Sequence, residues 1–178
     1  DEAINAFHDF IEEYPHTEDA KEAYEFLLKV YLTTKNYDQA LSSLEKIKNK
    51  DPRMQKAYQS IVFNRAVELF HNRKYEKAKE RFEMVSKYPI DKQLNALSEF
   101  WKAECDFNLG RFQEAIDNYQ KFRYSTGSVL TSVFKDLDYH VGYAYFENSN
   151  PYDNSNKSFE EKKQKNLNQS ITFFRNYI

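Results

Sequence analysis

The stretch LGRFQEAIDNYQKF, Leu109–Phe122, decides the fold. Gly110 stands two residues before the aromatic Phe112; Ala115 follows three later, with Tyr119 and Phe122 at i+4 and i+7 from the alanine. An alanine followed by bulky apolar residues at that spacing is one face of an amphipathic helix. The alanine lets the helix axis approach its partner closely, and the glycine predicts a left-handed stop to the helix before it. The same frame recurs with Ala78, Phe82 and Val85 in KYEKAKERFEMV, with Ala40, Leu44 and Ile47 in NYDQALSSLEKI, and with Ala3, Phe7 and Phe10 in AINAFHDFI. Near the C-terminus Ser170, Phe174 and Tyr177 fill it. The four alanines lie 37, 38 and 37 residues apart, and Tyr37, Tyr75 and Phe112 each precede one by three residues. Regular self-similarity at such a period marks a solenoid of helix pairs.

A second helix precedes each of these: AKEAYEFLLKVYL, AYQSIVFNRAVELF, ALSEFWKAECDF and FKDLDYHVGYAYF. Short polar turns join the first three pairs at Thr34–Asn36, Asn72–Lys74 and Gly110–Arg111. Asn36 with Gln39 predicts a capping box, and Pro52 and Pro89 fall where one helix must stop and the next begin. With three glycines and four prolines in 178 residues, few turn residues remain for a sheet. The expected fold is all-α, a right-handed superhelix of antiparallel helix pairs. Residues 1–15 are the second helix of a truncated unit; units follow at 18–52, 53–90, 91–127 and 128–178. The last carries an insertion at about 149–165, whose polar first half reads as loop and whose second half extends the following helix. Neither end resembles a polar capping helix, so the chain is expected to be a segment of a longer repeat protein or to pack by its ends on another chain.

This arrangement resembles the tetratricopeptide repeat family, whose unit spans 34 residues. The family's small residue at position 20 falls on Ala40, Ala78, Ala115 and Ser170; that at position 8 falls on Ala66, Ala103 and Gly142, with Leu28 in the first full unit. Pro15 and Pro52 match the family's proline. Glu99, Lys102 and Asp106 depart from it, since the family fills those positions with apolar residues. Either that helix is rotated or its outer face is solvated through a pair such as Lys102–Asp106.

Chemistry is hard to find. His8, His16, His71 and His140 fall in different units, and no glycine-rich phosphate loop or nucleophile elbow is present. The lone Cys105 excludes an internal disulfide and reads as a small packed residue. A net charge of −2 with both signs interspersed leaves no basic footprint for nucleic acid, and no apolar run reaches the length of a membrane span. No catalytic, cofactor or metal residue is assigned.

What the resemblance implies is a groove lined by the first helix of each pair. Its positions fall on Phe63, Val67 and Phe70; on Phe100, Glu104 and Phe107, with Trp101 beside them; and on Tyr139, Tyr143 and Phe146. The competing role for each aromatic is packing between repeats. As a set they describe an aromatic, weakly acidic surface for a peptide or protein, without the basic residues of a chaperone-tail clamp. The expected function is a non-catalytic interaction scaffold; the alternative is the sensory or regulatory region of a signalling protein. Self-association through uncapped ends is also expected. Ala3, Phe7, Phe10, Tyr14 and Pro15 are similar to the units of bacterial envelope members, the barrel-assembly lipoprotein and the Tol–Pal periplasmic partner. That likeness implies the periplasm, or the periplasmic face of the outer membrane, ahead of the cytoplasm.

Overall fold

The computed structural model describes residues 2–15, 17–47, 50–149 and 157–178. Among them the chain is an all-α solenoid in which each helix packs on its neighbours in sequence. A leading helix α1 (Glu2–Glu13) is followed by four antiparallel pairs: α2 (Glu18–Thr34) with α3 (Tyr37–Lys46), α4 (Pro52–His71) with α5 (Tyr75–Met84), α6 (Lys92–Asn108) with α7 (Phe112–Tyr124), and α8 (Leu137–Asn148) with α9 (Lys157–Tyr177).

Local chemistry sets the helix starts. Thr17 accepts from the Ala20 amide at 3.2 Å, Asp51 from Met54 at 2.9 Å with Pro52 in the first turn, and Asp91 from the Gln93 and Leu94 amides. Each satisfies a donor that the helix itself leaves free. The expected capping box at Asn36 does not form. The Asn36 amide instead donates to the Gln39 side chain, because Asn36 lies at φ −85°, ψ 58° and caps no backbone N–H with its side chain.

The helix ends repeat more strictly than the sequence shows. Gly110 takes φ 74°, as its glycine predicts, and Lys35 and Arg73 occupy the same left-handed place at φ 57° and 58°. In each turn the next amide reaches back over the helix end: Asn36 to the Tyr31 carbonyl, Lys74 to Leu69, and Arg111 to Asp106. The identical turn is therefore built from three different residues, two of them held where a side chain is disfavoured.

Ala40, Ala78, Ala115 and Ser170 are all buried, as are Ala66 and Ala103. At Gly142 an added Cβ would stand 3.0 Å from the Phe174 ring, so the α8–α9 approach needs the missing side chain. The core runs in three clusters, under α2–α4, under α4–α6 and under α6–α8. Phe63 joins the first to the second, and Trp101 the second to the third. The Gln59 side chain, fully buried, donates to the Asp91 carbonyl at 3.0 Å and accepts from the Asp91 amide at 2.7 Å. It pins the loop that starts the next unit.

One detail differs from expectation. Two short 3₁₀ turns, Ser128–Leu130 and Ser132–Asp136, precede α8, which starts at Leu137. Helix α9 starts at Lys157, so the second half of the insertion extends this helix as expected; its first half, residues 150–156, lies outside the described residues.

Candidate functional site

The residues expected to line one groove occupy equivalent places on α4, α6 and α8, yet their surroundings differ along the solenoid. On α4, Phe63 meets Phe82 edge-on at 5.6 Å, and Phe70 meets Trp101 at 4.9 Å and Tyr75 at 5.2 Å. Trp101 in turn stacks on Phe82, 6.2 Å away and 9° from parallel. Phe63, Val67, Phe70 and Trp101 are thus half-buried parts of the join between successive pairs.

On α6 the same places are filled and covered. Phe100 is only 3% exposed, packed against Tyr119, Phe122 and His140, so it is core and lines no open surface. Glu104 accepts from the Tyr119 hydroxyl and lies 2.8 Å from His140 Nδ1. Burial first, then the nearby Glu104 carboxylate, pushes the Tyr119 hydroxyl far up, which keeps it a donor. Phe107 is held between Phe112 at 5.4 Å and Tyr143 at 5.4 Å.

Of these three helices, α8 alone leaves the equivalent side chains open. Tyr139, Tyr143 and Phe146 are 45%, 40% and 45% exposed. Their i, i+4, i+7 spacing stacks them along the helix: Tyr139 and Tyr143 lie 6.2 Å apart at 8°, Tyr143 and Phe146 6.3 Å apart at 11°. Phe107 borders this ladder on one side; Phe174 and Tyr177 of α9 border Tyr139 on the other, at 6.0 and 5.6 Å. Glu147 accepts a hydrogen bond from Tyr143 and, by its charge, raises that hydroxyl's pKa. The physical reason for the contrast is position. On α4 and α6 the places of this stripe are covered by the next pair, and on α8 no described helix covers it.

The Glu99, Lys102 and Asp106 departure resolves in neither expected way. Lys102 pairs with Glu99 at 2.8 Å, while Asp106 is fully buried. Its carboxylate accepts from Lys79 Nζ of the preceding pair at 2.6 Å and from the Asn118 amide at 2.8 Å, and Lys121 donates to Asn118 at 3.0 Å. This network ties α5, α6 and α7 together. The spacing of Asp106 on α6 hid it, because its partners lie 27 residues before and 12 residues after it.

Among the described residues no group of three or more His, Cys, Asp or Glu is placed to hold a metal ion. His8 and His16 lie outside the described side chains. Cys105 is buried, and burial, with Asp106 next in weight, pushes its thiol up to about 12, the environment of an inert cysteine. No described helix is long and apolar enough to cross a membrane.

These features define a helical repeat scaffold with an open aromatic face. A family model described as tetratricopeptide repeat matches residues 18–52, the α2–α3 pair. No curated protein and no solved structure matches the chain. Tetratricopeptide repeats generally mediate protein–protein interaction and are typically non-catalytic scaffolds.

Proposed function

We propose that the chain is a non-catalytic scaffold that holds a peptide or protein partner on the aromatic ladder of α8. The observation that carries this reading is the stacked, exposed row Tyr139, Tyr143 and Phe146. Aromatic rings present large area at small cost in rotamer freedom, and they anchor interfaces for that reason. The row is continuous with half-buried Phe107, while Glu147 sets an acidic edge, which favours a partner segment with apolar side chains and a basic flank. The earlier groove residues Phe63, Val67, Phe70, Phe100, Trp101 and Glu104 support the ladder by fixing the spacing of the pairs behind it.

A bacterial cell-envelope assembly is the setting we favour. It rests on the likeness of the Ala3, Phe7, Phe10, Tyr14 and Pro15 frame to envelope repeats.

The test places a photo-crosslinking amino acid at Tyr143 in the native host and compares it with the same label in a Tyr139→Ser, Phe146→Ser background. A discrete crosslinked partner that disappears in that background, with the thermal melt unchanged, is the expected result. A partner that persists without the ladder removes this reading.

A further inference from the structure

We infer that the loop between α7 and α8 docks this chain on an anionic lipid surface, entering the bilayer interface with Tyr124, Val129 and Leu130. The loop lies inside the chain, held at both ends by described helices, and is separate from the α8 ladder.

Its summit is apolar and open. Tyr124 is 83% exposed, Val129 66% and Leu130 68%; apart from the terminal Ile178, no described large apolar side chain is more exposed. The loop beneath them is firmly tied. Ser128 is buried and its hydroxyl donates to the Arg123 carbonyl, while Phe134 packs on Phe122 at 6.1 Å. Gly127, at φ 93°, passes so close to α6 that an added Cβ would stand 3.0 Å from the Lys92 carbonyl. The amides of Ser128, Leu130 and Thr131 donate to the carbonyls of Ser125, Gly127 and Ser128. A bilayer leaves little water for unpaired backbone groups, so a loop that closes its own hydrogen bonds loses least on entering one.

Charge selects the surface. Residues 118–135 hold Lys121, Arg123 and Lys135 and no Asp or Glu, in a chain whose net charge is −2. Arg123 is taken up by Asp138. Lys121 shares the last turn of α7 with Tyr124, and Lys92 lines a shallow cleft of about 260 Å³ with Ser125 and Thr126. Lys92 and Lys135 are exposed and form no ion pair among the described residues. The acids that flank this edge in sequence are engaged: Asp91 caps α6, Asp117 accepts from Gln113, and Asp136 accepts from Tyr177 at 3.5 Å. Projecting apolar side chains among free lysines match a surface that is anionic outside and apolar beneath, the order of a lipid headgroup region.

The probe is a set of phosphatidylcholine vesicles with or without about one-third phosphatidylglycerol, co-sedimented with the full chain. Binding should be saturable on the anionic vesicles, weak on phosphatidylcholine alone, and reduced by salt. Val129→Asp with Leu130→Asp, both at exposed positions, should weaken it about tenfold or more with the thermal melt unchanged. Lys92→Glu with Lys135→Glu should weaken it by a similar factor and flatten its salt dependence. In Leu130→Trp, the emission added to that of Trp101 should shift to the blue on anionic vesicles and be quenched by brominated lipid. No binding at millimolar lipid overturns the proposal. So does binding that survives the Asp pair and leaves the new tryptophan unquenched, since that is adsorption by charge alone. Sedimentation velocity covers the remaining occupant: an oligomer lost on Val129→Asp with Leu130→Asp gives the summit to a second copy and overturns the lipid assignment. None of these variants touches the α8 ladder, so either site can fail without the other.

Discussion

Replacing Lys79 by Met tests the most consequential polar contact in the fold. Lys79 Nζ stands 2.6 Å from Asp106 Oδ1; the Lys79 side chain keeps 23% exposure, and Asp106 keeps none. In Lys79→Met the carboxylate retains Asn118 but loses its counter-charge inside the protein. Removing one partner of a buried pair costs about 3–5 kcal/mol. The reverse change is milder. In Asp106→Leu the lysine swings to water, and the chief loss is the Asn118 amide's acceptor, worth about 1–3 kcal/mol. The double variant should be no worse than Asp106→Leu, because an apolar pair replaces the ionic one without stranding a charge. Urea titration measures this. With a slope of about 2 kcal/mol per molar, a 4 kcal/mol loss lowers the midpoint by about 2 M. Far-UV circular dichroism and Trp101 fluorescence serve as independent probes, since Trp101 sits in the join between core clusters. A loss below about 1 kcal/mol in Lys79→Met, or a larger loss in Asp106→Leu than in Lys79→Met, would refute the reasoning.

Three further outcomes are expected. Phe100→Ala should cost about 3–5 kcal/mol as a core truncation, whereas Tyr143→Ala at an exposed position should stay within about 1 kcal/mol; comparable losses in chemical denaturation would contradict the division between core and ladder. Lys35→Gly and Arg73→Gly should each stabilise by about 0.5–1 kcal/mol by relieving left-handed strain, and Gly110→Ala, whose Cβ would meet nothing within 4 Å, should lose a similar amount through backbone alone. Cys105, with its thiol pushed from an ordinary value near 9 up to about 12, should resist a thiol reagent until the chain unfolds. Its raised pKa contributes stability in full below pH 9 that is lost as pH climbs towards 12, because the unfolded thiol ionises first; Cys105→Ala should flatten that alkaline limb of the urea midpoint.

The architecture was legible because packing alanines and their i+4 and i+7 partners are local signals. Ala40, Ala78 and Ala115 announce where helices touch, and one glycine at 110 announces a turn that Lys35 and Arg73 repeat without any compositional mark. What stayed hidden depends on residues far apart in the chain. Asp106 looked like an exposed i+4 partner for Lys102, but a carboxylate on α6 that meets a lysine on α5 and an amide on α7 leaves no periodicity to read. Gln59, which clamps Asp91 across 32 residues, is equally silent. The extension of α9 back to Lys157 was legible only as a half of the insertion, because its lysines and glutamates suit a solvated helix as well as a loop and charge alone does not fix the first residue.

The candidate site was half legible, and the reason lies in how a solenoid uses one set of positions twice. Phe63, Val67 and Phe70 on α4, Phe100, Glu104 and Phe107 on α6, and Tyr139, Tyr143 and Phe146 on α8 are equivalent by register. A residue there is buried in stacking where a described pair covers it, as on α4 and α6, and stays exposed where no described helix does, as on α8; its side chain need not differ between the two. Phe70 against Trp101, Phe107 against Tyr143 and the bare Phe146 are successive states of one position. Phe7 and Phe26 form a ring pair equivalent to Phe82 and Trp101, and no described helix lies over them. Partner binding at α8, as proposed, would use the same physical interaction as repeat stacking, the burial of an aromatic stripe. A substitution in the α8 ladder should therefore alter binding at little cost to stability, while the equivalent substitution on α4 or α6 should do the opposite.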